Sequence, residues 1–186
     1  MENNEQKKEK AFDLKKEIRE WVLILLTAAG IALFINTFII ANSRVPSNSM
    51  ETTIMTGDRI IGSRLAYITG EPERGDIVIF NHEIDRSGKE TRLVKRIIGL
   101  PGETVEISGG EIYIDGSQEP LNEPYLHEEM IWKNDRFEVP EGCYLMMGDN
   151  RNYSRDARAW DDPYVPKKKI MAKVLFRYFP SIGKLE

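Results

Sequence analysis

One cysteine and two histidines stand among 186 residues, and that scarcity removes several kinds of chemistry at the outset. Cys143 has no partner for an internal disulfide, and neither His82 nor His127 lies at a spacing that builds a cysteine–histidine metal site. Cys143 reads instead as a small buried hydrophobe. A basic stripe is missing as well. Lys and Arg number 26 against 30 Asp and Glu, for a net charge of -4, and the signs are interleaved, which argues against nucleic acid as a partner. There is no internal repeat and no low-complexity linker, so the chain reads as one globular domain with appendages.

What the sequence does contain, first of all, is a long apolar run. Residues 21–41, "WVLILLTAAGIALFINTFIIA", carry no charge and are about as many as a helix needs to cross roughly 30 Å of hydrocarbon. Thr27 and Thr37 are tolerable there because a hydroxyl bonds back along its own helix. A cleaved signal peptide has a shorter apolar core, about 7–15 residues, ending at a small-x-small site, whereas this run leads into bulky "FII"; an uncleaved anchor is the better reading. Lys7, Lys8, Lys10, Lys15, Lys16 and Arg19 precede it, and the nearest cations after it are Arg44 and Arg59. The positive-inside rule then gives a cytoplasmic tail over residues 1–20, a transmembrane helix over 21–41 and an extracytoplasmic domain over 42–186.

That last part is expected to be mostly β. "RIIGSRLAY", "GDIVIFNHE", "TRLVKRIIG", "ETVEIS", "EIYIDG", "RFEVPEGCYLMMGDN" and "IMAKVLFRYF" are β-branched runs, separated by Gly-, Pro- and Asn-rich turns such as "SGGE" and "GDNRN". Their spacing suggests a compact barrel or sandwich. The stretch 119–135 is the least regular and reads as a surface excursion. "RGD" at 74–76 turns the chain into a strand rather than signalling adhesion, and "NYS" at Asn152 is a weak glycosylation match.

Three places could carry chemistry. If "RLVKRIIG" is a strand, Leu93, Lys95 and Ile97 share one face and Val94, Arg96 and Ile98 the other. A lysine between aliphatic neighbours on a core-directed face is desolvated, which favours the neutral amine and suits a general base; lowering it to near 8 costs about 3 kcal/mol. Alternation alone equally allows Lys95 a solvated strand end, its stem lying over the core. In an extended "PSNSM", Ser47 and Ser49 lie on one side of the backbone, so one hydroxyl could attack a carbonyl while the other binds the oxyanion. Taken alone, the same residues make an ordinary linker. In "GDNRNYSRDAR", Ser154, Asp156 and Arg158 alternate, either lining one face or forming a solvated hairpin tip.

In order along the chain, the anchor, "VPSNSM", "GDRIIGSRLAY", "RGDIVIF", "LVKRIIGLPGE" and "GDNRNYSRDAR" resemble bacterial type I signal peptidases, membrane-bound Ser/Lys proteases of the peptidase S26 family. The resemblance covers the whole chain. It implies a fold of coiled antiparallel β-sheets and a serine endopeptidase without metal or cofactor. Its substrates would be the signal peptides of secretory precursors, cut after small residues at -1 and -3, with the lipid bilayer and the protein-export machinery as further partners. It implies that Ser49 is the nucleophile and Lys95 the general base, and that Ser47 and the Ser49 N–H form the oxyanion hole. Ser154 would bond the lysine amine, Asp156 and Arg158 would pair, and Val45, Met50, Ile54, Leu93 and Val94 would line pockets for small side chains.

Some positions depart from that pattern. Thr52 stands where proline is common, which leaves the following turn less constrained, and Tyr153 and Ala157 stand where Asn and Ser are common. Three rival readings stand beside this one, and the sequence lacks what two of them need. A self-cleaving Ser/Lys repressor needs a DNA-binding domain, and a sortase-like transpeptidase needs a histidine in a suitable motif beside Cys143. A membrane-anchored binding module would leave both serines as linker, a difference that acylating reagents detect.

Overall fold

The structure, a computed structural model, describes residues 14–85 and 87–185. Helix α1 (Leu14–Phe34) runs into a π-helical turn (Ile35–Ile39). Together they form an apolar helix of 26 residues, long enough to cross a membrane. The Thr27 hydroxyl bonds the Leu23 carbonyl at 2.8 Å, the back-bond expected of a hydroxyl in an apolar helix. Helix already spans residues 14–20, within the stretch read as a tail, while Lys7, Lys8 and Lys10 lie outside the described residues.

The remaining chain is mostly β. Its strands are β1 (Ile40–Arg44), β2 (Arg59–Ser63), β3 (Ile77–Glu83), β4 (Glu90–Gly99), β5 (Thr104–Ser108), β6 (Glu111–Ile114), β7 (Asp135–Glu138), β8 (Cys143–Met147), β9 (Tyr164–Pro166), β10 (Ile170–Phe179) and β11 (Gly183–Lys184), with a short helix α2 (Ala66–Thr69) after β2. The larger sheet runs β1-β2-β10-β3-β4-β8-β9 with β11 on β10, the smaller β6-β5-β7. Each pairing is antiparallel.

Two of the expected strands divide. "RIIGSRLAY" leaves the sheet at Ser63 and turns into α2. "RFEVPEGCYLMMGDN" breaks at Pro140, which has no N–H for a ladder, and at Gly142, whose φ is 71°. Its first half, β7, pairs with β5, and its second, β8, pairs with β4 and β9. Three short strands were not expected. β1 starts two residues inside the apolar run assigned to the membrane, and its "IANSR" has no alternation to announce it. β9 and β11 have three and two residues. "SGGE" is a turn as expected: Gly109 and Gly110, at φ 61° and 86°, connect the Ser108–Glu111 pair of the β5–β6 hairpin, the backbone that two-residue hairpins favour.

β3 explains why "IVIF" is an unbroken apolar run. Val78 and Phe80 belong to one core, with Ile97, Ile98, Val105, Leu145 and Met146. Ile77 and Ile79 belong to a second, with Val45, Met50, Ile54, Ile60 and Ala172. Buried on both faces, the strand cannot alternate apolar with polar. The second core anchors the turn that follows β1 through Val45, Met50 and Ile54.

Candidate active site

The "PSNSM" turn leaves edge strand β1 and is closed at its base by two backbone bonds, Val45 N–H to Asp58 C=O at 2.9 Å and Gly57 N–H to Val45 C=O at 2.8 Å. Met50 and Ile54 are fully buried in the second core, and Ile54 N–H bonds the Met50 carbonyl at 2.8 Å. Burial of Met50 pulls its neighbour inward. Ser49 is 9% exposed, while Ser47 stays exposed two residues earlier. Their hydroxyl oxygens are 3.4 Å apart. The less constrained turn expected at Thr52 is tied down by the next residue, whose Thr53 hydroxyl donates to Asp149 Oδ2 at 2.6 Å.

Lys95 comes from the middle of the larger sheet. It lies opposite Val78 of β3, and only 2% of it is exposed, so the solvated strand end is not its position. Its Nζ donates to Ser154 Oγ at 3.0 Å. Burial pushes the amine down to about 8, against the pull of the Asp156 carboxylate and with help from the Arg158 cation. A lysine of this kind is partly neutral near neutral pH and can take up a proton.

The loop 148–158 after β8 is no solvated hairpin tip. Asp156 is 0% exposed and Arg158 8%. Arg158 donates to both Asp156 oxygens, from Nε and Nη2, at 2.8 Å each, and the Gly148 N–H adds a third bond at 3.0 Å. Burial opposes ionisation of Asp156, but these donors outweigh it and hold the carboxyl below its usual range. Ser154 thus bridges a lysine amine and a carboxylate that remains charged.

A cleft of about 550 Å³ brings much of the predicted set together, lined by Ser47, Ser49, Lys95, Val45, Met50, Leu93 and Val94 among others. Ile54 is not part of that lining and sits in the second core. Ser154, Asp156 and Arg158 do not line it either; Ser154 touches Lys95 directly, and the other two lie one step further away. His82 and Cys143 are elsewhere, while His127 lines a neighbouring cavity with Asn48 and Tyr153. His82 is buried with its ring centroid 4.3 Å from that of Trp160, and Cys143 is partly buried against the first core.

Several residues that hold the site escape a reading of the sequence. A Cβ on Gly148 would stand 2.3 Å from both the Ser49 carbonyl oxygen and Ser154 Oγ, so only glycine lets the serine turn and the lysine's partner meet. Asn150 N–H bonds the Ser49 carbonyl at 3.1 Å, and its side-chain amide bonds the Asn48 carbonyl at 3.0 Å. Arg96 grips Asp149 through two bonds of 2.9 and 2.7 Å, both side chains being almost wholly buried. "GDN" announces a turn; what it touches is set by residues about a hundred positions away.

A family model described as signal peptidase, peptidase S26, matches residues 18–179. A probable signal peptidase I-2 of Synechocystis is 37% identical over 158 residues, covering 84% of this chain and 71% of that one. A signal peptidase IB of Staphylococcus aureus is 32% identical over 185 residues, covering 90% of this chain and 92% of the other. A crystal structure of a signal peptidase I from Enterococcus faecalis is 31% identical, covers 56% of this chain and 97% of its own, and superposes with a TM-score of 0.46. A β-rich hydrolase with a serine-lined cleft is the class of protein in view. The chain belongs to the signal peptidase family, peptidase S26. It is a protease, and its N-terminal apolar helix is consistent with anchoring in a membrane.

Proposed function

We propose that the protein is a membrane-bound serine endopeptidase that removes N-terminal signal peptides from exported precursors by a Ser/Lys dyad. The observation that carries this reading is the Lys95 amine, buried, pushed down to about 8 and sharing one cleft with Ser49. The neutral amine accepts the Ser49 proton as the oxygen attacks the scissile carbonyl. The Ser47 hydroxyl and the Ser49 N–H stabilise the oxyanion. The resulting ammonium then protonates the departing amine of the mature chain, leaving an ester on Ser49. Lys95 next deprotonates a water, which hydrolyses the ester and frees the signal peptide as a carboxylate. Ser154 fixes the amine, and the Asp156–Arg158 pair fixes Ser154.

β1 and the first half of β4 support a mode of binding. β1 ends the larger sheet, and β8 pairs with β4 only from Arg96 onward, so Thr91–Val94 keep an open edge on the cleft. A substrate in extended form can add its backbone there, with alternate side chains facing Val45, Met50, Leu93 and Val94. Cleavage then follows small residues at -1 and -3. Residues 42–186 form the catalytic domain outside the membrane, the anchor keeps its N-terminus in the cytoplasm, and the export machinery delivers the substrates.

The test is processing of a secretory precursor by membranes carrying the protein or its Ser49→Ala form, followed across pH. The expected result is a shortened product from the first only, with kcat/KM rising through about pH 8 as Lys95 loses its proton. Processing by Ser49→Ala would overturn the reading.

A further inference from the structure

The irregular stretch 119–135 contains one of the tightest groups of contacts in the molecule. Glu123 receives Arg151 through two bonds of 2.8 and 2.5 Å, the two side chains being 7% and 1% exposed. The Tyr125 ring lies 3.8 Å from the Arg96 guanidinium carbon, and the Trp132 ring 4.8 Å from that of Arg158. Arg158 Nη1 has no hydrogen-bond acceptor among the described residues, and the guanidinium lies over the face of Trp132 instead. The stretch is itself anchored. Met130 is 4% exposed within the first core, where Leu121 and Trp132 pack against it. The Ile131 N–H donates to the Asn152 side chain at 2.8 Å.

Each of the three arginines also holds part of the site. Arg96 grips Asp149, Arg151 Nε donates to the Gly148 carbonyl at 3.1 Å, and Arg158 grips Asp156 and donates to the Arg151 carbonyl at 2.7 Å. One segment therefore touches all three of these arginines.

We propose that the 119–135 stretch is a clasp that sets the position of the 148–158 loop against Lys95, with Glu123, Tyr125 and Trp132 as positioning residues for the reaction. The inference rests on the reading of Lys95 as the general base. The charged groups that bear on Lys95 are Asp156, Arg158 and Asp149, and Arg44, Arg92 and Arg155 line the cleft that it shares. Removing the Trp132 ring frees Arg158 to move from Asp156 and lets water reach the amine. A bare Asp156, a more distant cation and better solvation all favour protonated Lys95, so each moves its titration upward.

The test is the pH profile of precursor-peptide cleavage by the full-length protein in detergent, for wild type, Trp132→Ala, Trp132→Phe, Ile131→Ala and Lys95→Arg. For Trp132→Ala the clasp predicts kcat lower by about tenfold, KM within about twofold, and an acid limb roughly half a pH unit or more higher. Trp132→Phe keeps a ring face and restores most of the rate, and Ile131→Ala, whose side chain is 83% exposed, leaves the profile alone. Should Trp132→Ala melt below the assay temperature, Tyr125→Leu is used with the same criterion. An inactive Lys95→Arg together with an unmoved acid limb in the clasp variants overturns the clasp alone. Retained activity in Lys95→Arg overturns the base assignment and the clasp with it.

Discussion

Lys95 and Ser49 reach one cleft from opposite kinds of backbone. Lys95 stands on β4, paired with β3 from Glu90 to Arg96, and its direction follows from strand alternation. Ser49 stands on a turn with no ladder, placed by two buried anchors, Met50 and Ile54, and by bonds from a loop far along the chain. The difference teaches where each half of the site is vulnerable. The strand fixes its lysine by register with β3, so on the proposed dyad this half should fail when the side chain can no longer lose a proton. The turn offers a hydroxyl that needs no pKa adjustment of its own, so its chemistry depends on position.

The largest effect is expected on the strand side. Lys95→Arg retains charge and length, yet should abolish precursor cleavage as fully as Lys95→Ala, because a guanidinium does not deprotonate in a protein. Turnover by the arginine form in steady-state kinetics would show that position rather than proton transfer governs both halves. On the turn side, Ser47→Ala should lower kcat by about 10²–10³ with little change in KM, since its hydroxyl is assigned only to the developing oxyanion. Ser47→Thr should recover part of that loss. Full activity of Ser47→Ala on the same peptide would remove Ser47 from the site.

The smallest effect concerns stability and again separates the two. Lys95 titrates at about 8 in the folded chain against an ordinary 10.5, so below pH 8 it is charged in both states and its burial costs on the order of 3 kcal/mol. Between pH 8 and 10.5 the folded state releases a proton that the unfolded state keeps, and wild-type stability rises. Lys95→Met should therefore be more stable by roughly that amount at pH 7, with the gain fading as pH climbs to about 10.5. Ser49→Ala, which loses no buried charge, should show no such slope. Denaturant melts of both variants across that range check it; a gain that is flat with pH would mean that Lys95 is not desolvated.

Most of the sheet was legible because β-branched runs and turn residues act locally. β4 could be drawn from its own residues, and so could the face that carries Lys95. The depth of Lys95 could not, because burial comes from Val78 of the neighbouring strand and from the loop after β8. β1 was hidden, since a polar strand at the end of an apolar run has neither alternation nor a turn before it. Gly148, Asn150 and Arg96 look like a turn and a strand cation, and nothing near them announces partners at Ser49, Asn48 and Asp149. Trp132 and Glu123 sit in a stretch without periodicity, where pattern says nothing about contact. The resemblance implies a pocket position for Ile54, and its side chain instead anchors the turn from the core side.

The cross-links of this site also impose an order in time. The Asn150–Asn48 bond joins residues 102 apart, the Thr53–Asp149 bond 96 and the Lys95–Ser154 bond 59. Contacts this distant form late, after the chain between them has been made and ordered. A growing chain thus exposes its serine turn long before the loop that locks it, and a half-finished molecule has a hydroxyl but no assembled machine. Until Gly148 and the residues after it have been made, the Ser49 carbonyl and the Lys95 amine lack the partners that hold them in the finished fold.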